Sequence, residues 1–216
     1  MSANPTLVTA KHFEYLAERT VRDDVFMLRL KRDAKRAGIP AIWISPAQAS
    51  FMQILLRLAR AKEVIEVGTL AGYSAIAMAR ALPPDGRVRT IEINPKHADF
   101  TRKQVEKSDV AGRVEVLVGA GRDVLPTFAD DSADVAFLDA DKSGYPAYLE
   151  ECLRIVRRGG LIMVDNAFAF GELFARRPKD RETPAVREFN EIMARTSGLQ
   201  SLIVPIGDGL WVGVRR

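Results

Sequence analysis

The chain has 216 residues, 47% of them apolar and 28% charged, with one cysteine and two histidines. A chain of this size buries about 70–75% of its unfolded surface on folding, one thiol forms no internal disulfide, and two histidines are too few for a His-rich zinc site. Lys and Arg number 32 against 28 Asp and Glu, a net charge of +4 that suits an acidic partner without demanding nucleic acid. The scarcity of cysteine suits a reducing cytoplasm. No apolar run approaches the about 20 residues of a membrane span, and no charged-then-apolar signal pattern opens the chain.

The composition predicts a single domain over 1–216, with 1–45 as a helical N-terminal extension. The stretch Arg19 to Arg36 is dense in charge. It reads as a solvated helix face around Val21, Val25, Leu28 and Leu30, with a lid or docking surface for an acidic substrate as the alternative. Ser45-Pro46-Ala47-Gln48 has the form of a capping box, and Phe51, Met52, Leu55, Leu56 and Ala59 follow as one apolar stripe. From about residue 63, short Val- and Ile-rich runs alternate with helical patterns. The runs are 64–67, 88–93, 114–118, 135–138 and 161–164, and the helical segments lie near 73–82, 96–108 and 145–157. Near-continuous apolar strands separated by helices predict a doubly wound, Rossmann-like α/β sheet, mostly parallel, with helices on both faces. Leu202–Ile206 and Leu210–Val214 flank Gly207-Asp208-Gly209 and predict a closing antiparallel hairpin.

The first strand runs into Glu66-Val67-Gly68-Thr69-Leu70-Ala71-Gly72-Tyr73-Ser74. Glycines at this turn let the backbone approach a ligand closely. The dinucleotide fingerprint fails because Leu70 stands where its second glycine belongs, and the P-loop fails because no lysine follows Gly72. Such a loop suits a nucleoside without a pyrophosphate. Glu92 ends the second strand, where an acid can accept hydrogen bonds from both ribose hydroxyls. Gly119-Ala120, after the third strand, are small enough to admit a flat base.

The fourth strand ends in Asp139-Ala140-Asp141-Lys142 and the fifth in Asp165-Asn166. In a doubly wound sheet these ends share the carboxyl edge, where ligands bind. Asp139, Asp165 and Asn166 offer three oxygen ligands to a hard cation, Mg²⁺ first and Mn²⁺ or Ca²⁺ as alternatives. The alternative reading is three strand-end side chains that cap the following helices. Lys142 can reach the same space as a base or a charge stabiliser.

Together these motifs resemble the metal-dependent class I O-methyltransferases, the family of caffeoyl-CoA and catechol O-methyltransferases and their small bacterial relatives. The likeness runs from about Ser45 to the C-terminus and takes in Arg187-Glu188-Phe189-Asn190 and the Pro205–Gly209 turn. It implies S-adenosylmethionine at the first turn, with Glu66, Gly68, Thr69 and Ser74 around its methionine part, Glu92 on its ribose and Ala120 at its adenine. Ile44 and Asp141 match further cofactor contacts. It implies a divalent cation on Asp139, Asp165 and Asn166, with Lys142 near the acceptor oxygen, an aromatic small-molecule acceptor and a homodimer. Gly144 stands where relatives commonly have asparagine, Ala169 and Phe170 where many have tryptophan and asparagine, and Ala49 where glycine is frequent.

These residues suit in-line methyl transfer to one hydroxyl of a vicinal diol, with Asp139 and Lys142 as the catalytic pair. The alternatives are a methyltransferase for a hydroxylated tRNA nucleoside, drawing on the basic Arg19–Arg36 stretch, and a non-catalytic cofactor-binding module. Cys152, His12, His97 and Trp211 read as structural.

Overall fold

Each central strand is an apolar run that stops at a polar residue, so the sheet buries its middle and brings its carboxyl edge to a cavity. The structure, a computed structural model, describes residues 8–216. Three helices, α1 (Ala10–Arg19), α2 (Val25–Arg36) and α3 (Pro46–Leu58), precede the sheet. There follow β1 (Glu63–Val67), α4 (Tyr73–Ala79), β2 (Arg87–Glu92), α5 (Pro95–Glu106), β3 (Val114–Val118) and the short α6 (Gly121–Val124). The chain closes with β4 (Ala133–Leu138), α7 (Tyr145–Ile155), β5 (Val156–Val164), α8 (Thr183–Arg195), β6 (Leu199–Val204) and β7 (Leu210–Arg215).

The seven strands lie in the order β3-β2-β1-β4-β5-β7-β6. The first five are parallel, and β7 joins β5 antiparallel with β6 at the edge. The chain reverses its direction of travel across the sheet between β1 and β4, and ligands bind outside the strand ends at such a switch. One apolar layer, with Met52, Ile76 and Phe137, lies under α2–α4; the other, with Ile65, Leu149 and Phe189, lies under α7 and α8. No helix among the described residues is long and apolar enough to cross a membrane.

Three details differ from the sequence reading. Helix α2 buries Met27, Leu30 and Ala34, while Val21, Val25 and Leu28 are exposed. Spacings of three and four put the buried set on one stripe, and Asp24, accepting the Met27 N–H at 2.8 Å, fixes the helix start. Strand β5 begins at Val156, not near 161, because Val156 pairs with Ala133 across a register shift and Arg157 Nε bonds Asp134 at 2.6 Å. The closing hairpin starts at Leu199 and turns through five residues, Pro205–Gly209.

Candidate active site

Strand β1 ends against β4. The Asp139 N–H donates to the Val67 carbonyl at 2.9 Å, and a Cβ on Gly68 would stand 1.9 Å from the Asp139 carbonyl oxygen. Gly68 also has φ +104, a region that L side chains rarely adopt. Its first role is therefore to let two strand ends meet at the switch. The cavity above them holds about 570 Å³, within the size range of small-molecule sites.

On the β1–β2 side the walls are set largely by backbone. Glu92 is buried, and its two oxygens accept the Leu70 N–H (2.7 Å) and the Asn94 N–H (2.9 Å). Each oxygen keeps a further lone pair for a ligand hydroxyl. Gly68, Thr69, Ser74, Glu92 and Ala120 all line the cavity, as does Ile44 from the segment before α3. Glu66 does not. It is fully buried beneath the floor, where Ser74 donates to one oxygen and the other has no hydrogen-bond partner among the described residues. Burial pushes its carboxyl up to about 8, and the Ser74 hydroxyl partly opposes that rise. Glu66 thus meets the cavity through Ser74, which it supports from below. A strand alternates its faces, and position 66 turns toward the interior.

On the β4–β5 side the walls are side chains. Asp139, Asp141, Lys142 and Asn166 line the cavity. The Lys142 ammonium is almost wholly buried, 3.3 Å from Asp139 Oδ1 and 2.7 Å from the Tyr145 hydroxyl. Asp165 lies just behind the lining, where Gln48 Nε2 donates to its Oδ1 at 2.7 Å. Burial, then the nearby Asp139 charge, pushes the Asp165 carboxyl up to about 7, against the pull of Gln48 and Lys142. Asn166 adopts φ 67 and donates through Nδ2 to Asp208 at 3.2 Å, which leaves its amide oxygen free to ligate. Asp208 also accepts the Phe170 N–H at 2.8 Å. Phe170 lines the cavity, with its ring 5.9 Å from the Lys142 ammonium, whereas Ala169 is buried behind it.

Several residues that shape the site escaped the sequence reading. Gln48 looks like the far half of a capping box; its backbone N–H does meet Ser45 at 3.1 Å, but its amide goes to Asp165. Tyr148 lines the cavity and donates to Asp141 at 2.7 Å, and its ring fills the space a Cβ on Gly144 would need. His97, read as structural, stands 3.6 Å from Glu92 on the cavity wall. Trp211 donates to Asn190 at 2.7 Å, Asn190 donates to the Ala167 carbonyl at 2.9 Å, and Arg187 donates to the carbonyls of Glu172, Leu173 and Ala175. This C-terminal motif therefore braces the 166–175 wall.

The O-methyltransferase family matches residues 17–216. The chain belongs to that family. It is 35% identical to a catechol O-methyltransferase of Niastella koreensis over 94% of this chain and 90% of the relative. A catechol O-methyltransferase of Mycobacterium tuberculosis is 36% identical, with 92% and 90% covered. The crystal structure of an O-methyltransferase from Bacillus cereus in complex with SAH superposes with a TM-score of 0.84 at 31% identity, covering 94% of this chain and 96% of that one. The protein is accordingly an S-adenosylmethionine-dependent O-methyltransferase built on the α/β sheet described above.

Proposed function

We propose that the protein methylates one hydroxyl of a catechol-like small molecule, with S-adenosylmethionine as donor and a divalent cation, Mg²⁺ first, at the acceptor end. The observation that carries this reading is that a nucleoside-type wall (Gly68, Glu92, Ala120) and an acid–lysine wall (Asp139, Lys142, Asn166) line one cavity at the sheet's switch point. The named activity of the two catechol O-methyltransferase relatives supports the acceptor class. In this reading the whole chain is one catalytic domain and its first 45 residues shape the mouth of the cavity.

Glu92 is the group for the ribose, Ala120 for the adenine, and Gly68, Thr69 and Ser74 for the methionine part, with Ile44 and Asp141 beside them. The donor supplies an activated methyl group. The cation's proposed ligands are Asp139, Asp165 and Asn166, two carboxylates and an amide oxygen at adjoining strand ends. This all-oxygen set fits a hard cation, and so does the charge: the Asp139 carboxylate that helps to raise the buried Asp165 carboxyl is offset by a positive ion. When bound, such an ion chelates a vicinal diol and lowers the pKa of its hydroxyls.

The protein's own side chains do the rest. Ile42, Trp43 and Phe170 give the cavity apolar lining. The Lys142 side chain is the group placed at the acceptor hydroxyl, a charge stabiliser as the ammonium and a proton acceptor only once it has lost its own proton to solvent, and Asp139 and the Tyr145 hydroxyl fix its position. Rate then comes largely from the placement of the acceptor oxygen in line with the methyl carbon.

The test is a labelled-methyl assay across catechols, flavonoids, acyl-CoA esters and tRNA. Turnover of free catechols that EDTA abolishes and Mg²⁺ restores is the expected result; full turnover in metal-free protein would sink the metal assignment. The tRNA reading loses its footing in the basic stretch, where Asp33 sits within 4 Å of Arg29, Arg32 and Arg36, and Asp23 and Asp24 hold Lys31 and Arg80.

A further inference from the structure

Two charged residues of that stretch, Lys31 and Asp23, are turned away from water. Lys31, on α2, is turned inward and only 16% of its side chain is exposed. Its ammonium bonds Asp23 Oδ2 at 2.6 Å, and the other oxygen of the same carboxylate accepts the Tyr73 hydroxyl at 2.7 Å. The ammonium also lies 4.1 Å from the centre of the Tyr73 ring and 5.6 Å from that of Trp43. Both rings line the large cavity. Burial and the Asp23 hydrogen bond push the Tyr73 hydroxyl pKa well up, so it stays protonated and keeps donating.

What this cluster holds is otherwise weakly held. Residues 40–44 run between α2 and α3 and give the cavity Ile42, Trp43 and Ile44. Among the described residues, no backbone–backbone hydrogen bond involves any of the five. Their position rests on side chains: Ile44 is buried, Ile42 is 72% exposed, and Trp43 lies beneath Lys31. Tyr73 is the first residue of α4 and directly precedes Ser74. A buried ammonium shared between a carboxylate and two aromatic faces is a strong, directional tie in such a setting.

We propose that Lys31 and Asp23 are positioning residues for cofactor binding: with Tyr73 they form a buried clasp that fixes Trp43 and the 40–44 wall over the cofactor end of the cavity. None of the hydrogen bonds or cation–ring contacts that make the clasp involves Asp139, Lys142, Asn166 or Phe170. Its loss therefore weakens cofactor affinity and leaves the chemical step nearly intact. The inference rests on the cofactor half of the proposed function and deepens it.

The experiment compares Lys31→Met, which keeps the aliphatic stem, with Asp23→Asn and the conservative Lys31→Arg, folding being checked by circular dichroism. Expected for Lys31→Met is a rise of about tenfold in the Kd for S-adenosylhomocysteine and in the KM for the donor, with kcat within about twofold of the unaltered protein. Lys31→Arg should recover most of the loss. A lowered melting temperature with unchanged Kd and KM overturns the proposal, because the cluster would then be structural only. A collapse of kcat at unchanged affinity overturns it too. The chain has two tryptophans, so Trp211→Phe leaves Trp43 as the only reporter. In that background Lys31→Met should shift Trp43 emission to the red, and identical emission counts against the clasp. If the unaltered protein bound no S-adenosylhomocysteine, the proposed function would fall, and the emission measurement would still decide the clasp.

Discussion

The two walls of the cavity are built by different means. On the β1–β2 side, glycine geometry and backbone N–H groups set the shape: Gly68 closes on the Asp139 carbonyl, and Glu92 is held at both oxygens by main-chain donors. On the β4–β5 side, side chains hold side chains. Lys142 leans on Asp139 and Tyr145, Gln48 on Asp165 and Asn166 on Asp208, while Asn166, Ala169 and Phe170 all sit at positive φ. The difference teaches where variation is tolerated. A wall made by the backbone belongs to the fold and changes only with it, whereas a wall of side chains can be retuned one residue at a time.

Substitutions that separate the walls test this contrast. The largest effect is expected for Asp139→Ala, which should cut methyl transfer by roughly 10³-fold while S-adenosylhomocysteine still binds, as calorimetry would show. Loss of both together would mean that the walls are not independent. Gly68→Ala should instead damage the fold, by about 3 kcal/mol or more in chemical denaturation, since its Cβ meets backbone that cannot swing aside. Glu92→Ala should weaken the cofactor by about 10- to 100-fold in Kd and leave kcat at saturating donor little changed.

The most gradual effect, spread over pH, belongs to Glu66. Its folded pKa, near 8, lies above the ordinary value of 4.5. The folded state therefore holds a proton that the unfolded chain releases first. The stability this group confers is fully present below about pH 4.5 and is lost as pH rises toward 8, by at most about 1.4 kcal/mol per pH unit. Glu66→Gln should flatten the melting profile over that window, and an unchanged slope would argue against a buried, protonated Glu66.

The same contrast decides what could be read in the sequence. The sheet was legible because both faces of its strands are covered, which leaves continuous apolar runs that stop at the carboxyl edge. Glu92, Asp139 and Lys142 stand out because they lie at or just past the ends of such runs, and all three line the cavity. Whether a strand-end acid lines the cavity or sits behind the lining depends on a single step of alternation, and the apolar runs alone do not show that Glu66 and Asp165 are buried behind it. The start of β5 was hidden because Arg157, Arg158, Gly159 and Gly160 carry no apolar pattern; a long-range bond to Asp134 makes the strand. Gln48 and Lys31 were hidden for a related reason. Their partners, Asp165 and the Asp23–Tyr73 pair, come from other elements, and local spacing carries no trace of them.

The turn of the closing hairpin has a consequence for inheritance of acceptor choice. Asp208 receives both the Asn166 amide and the Phe170 N–H, the Ala167 N–H donates to the Gly209 carbonyl, and a side chain at Gly209 would strike the Phe168 ring. Two stretches some forty residues apart in the chain thus form a single mould. Libraries that randomise 166–170 alone would mostly yield misfitted loops. Joint variation of 166–170 with 205–209 is the shorter route to a new substrate, for the engineer and for natural drift alike.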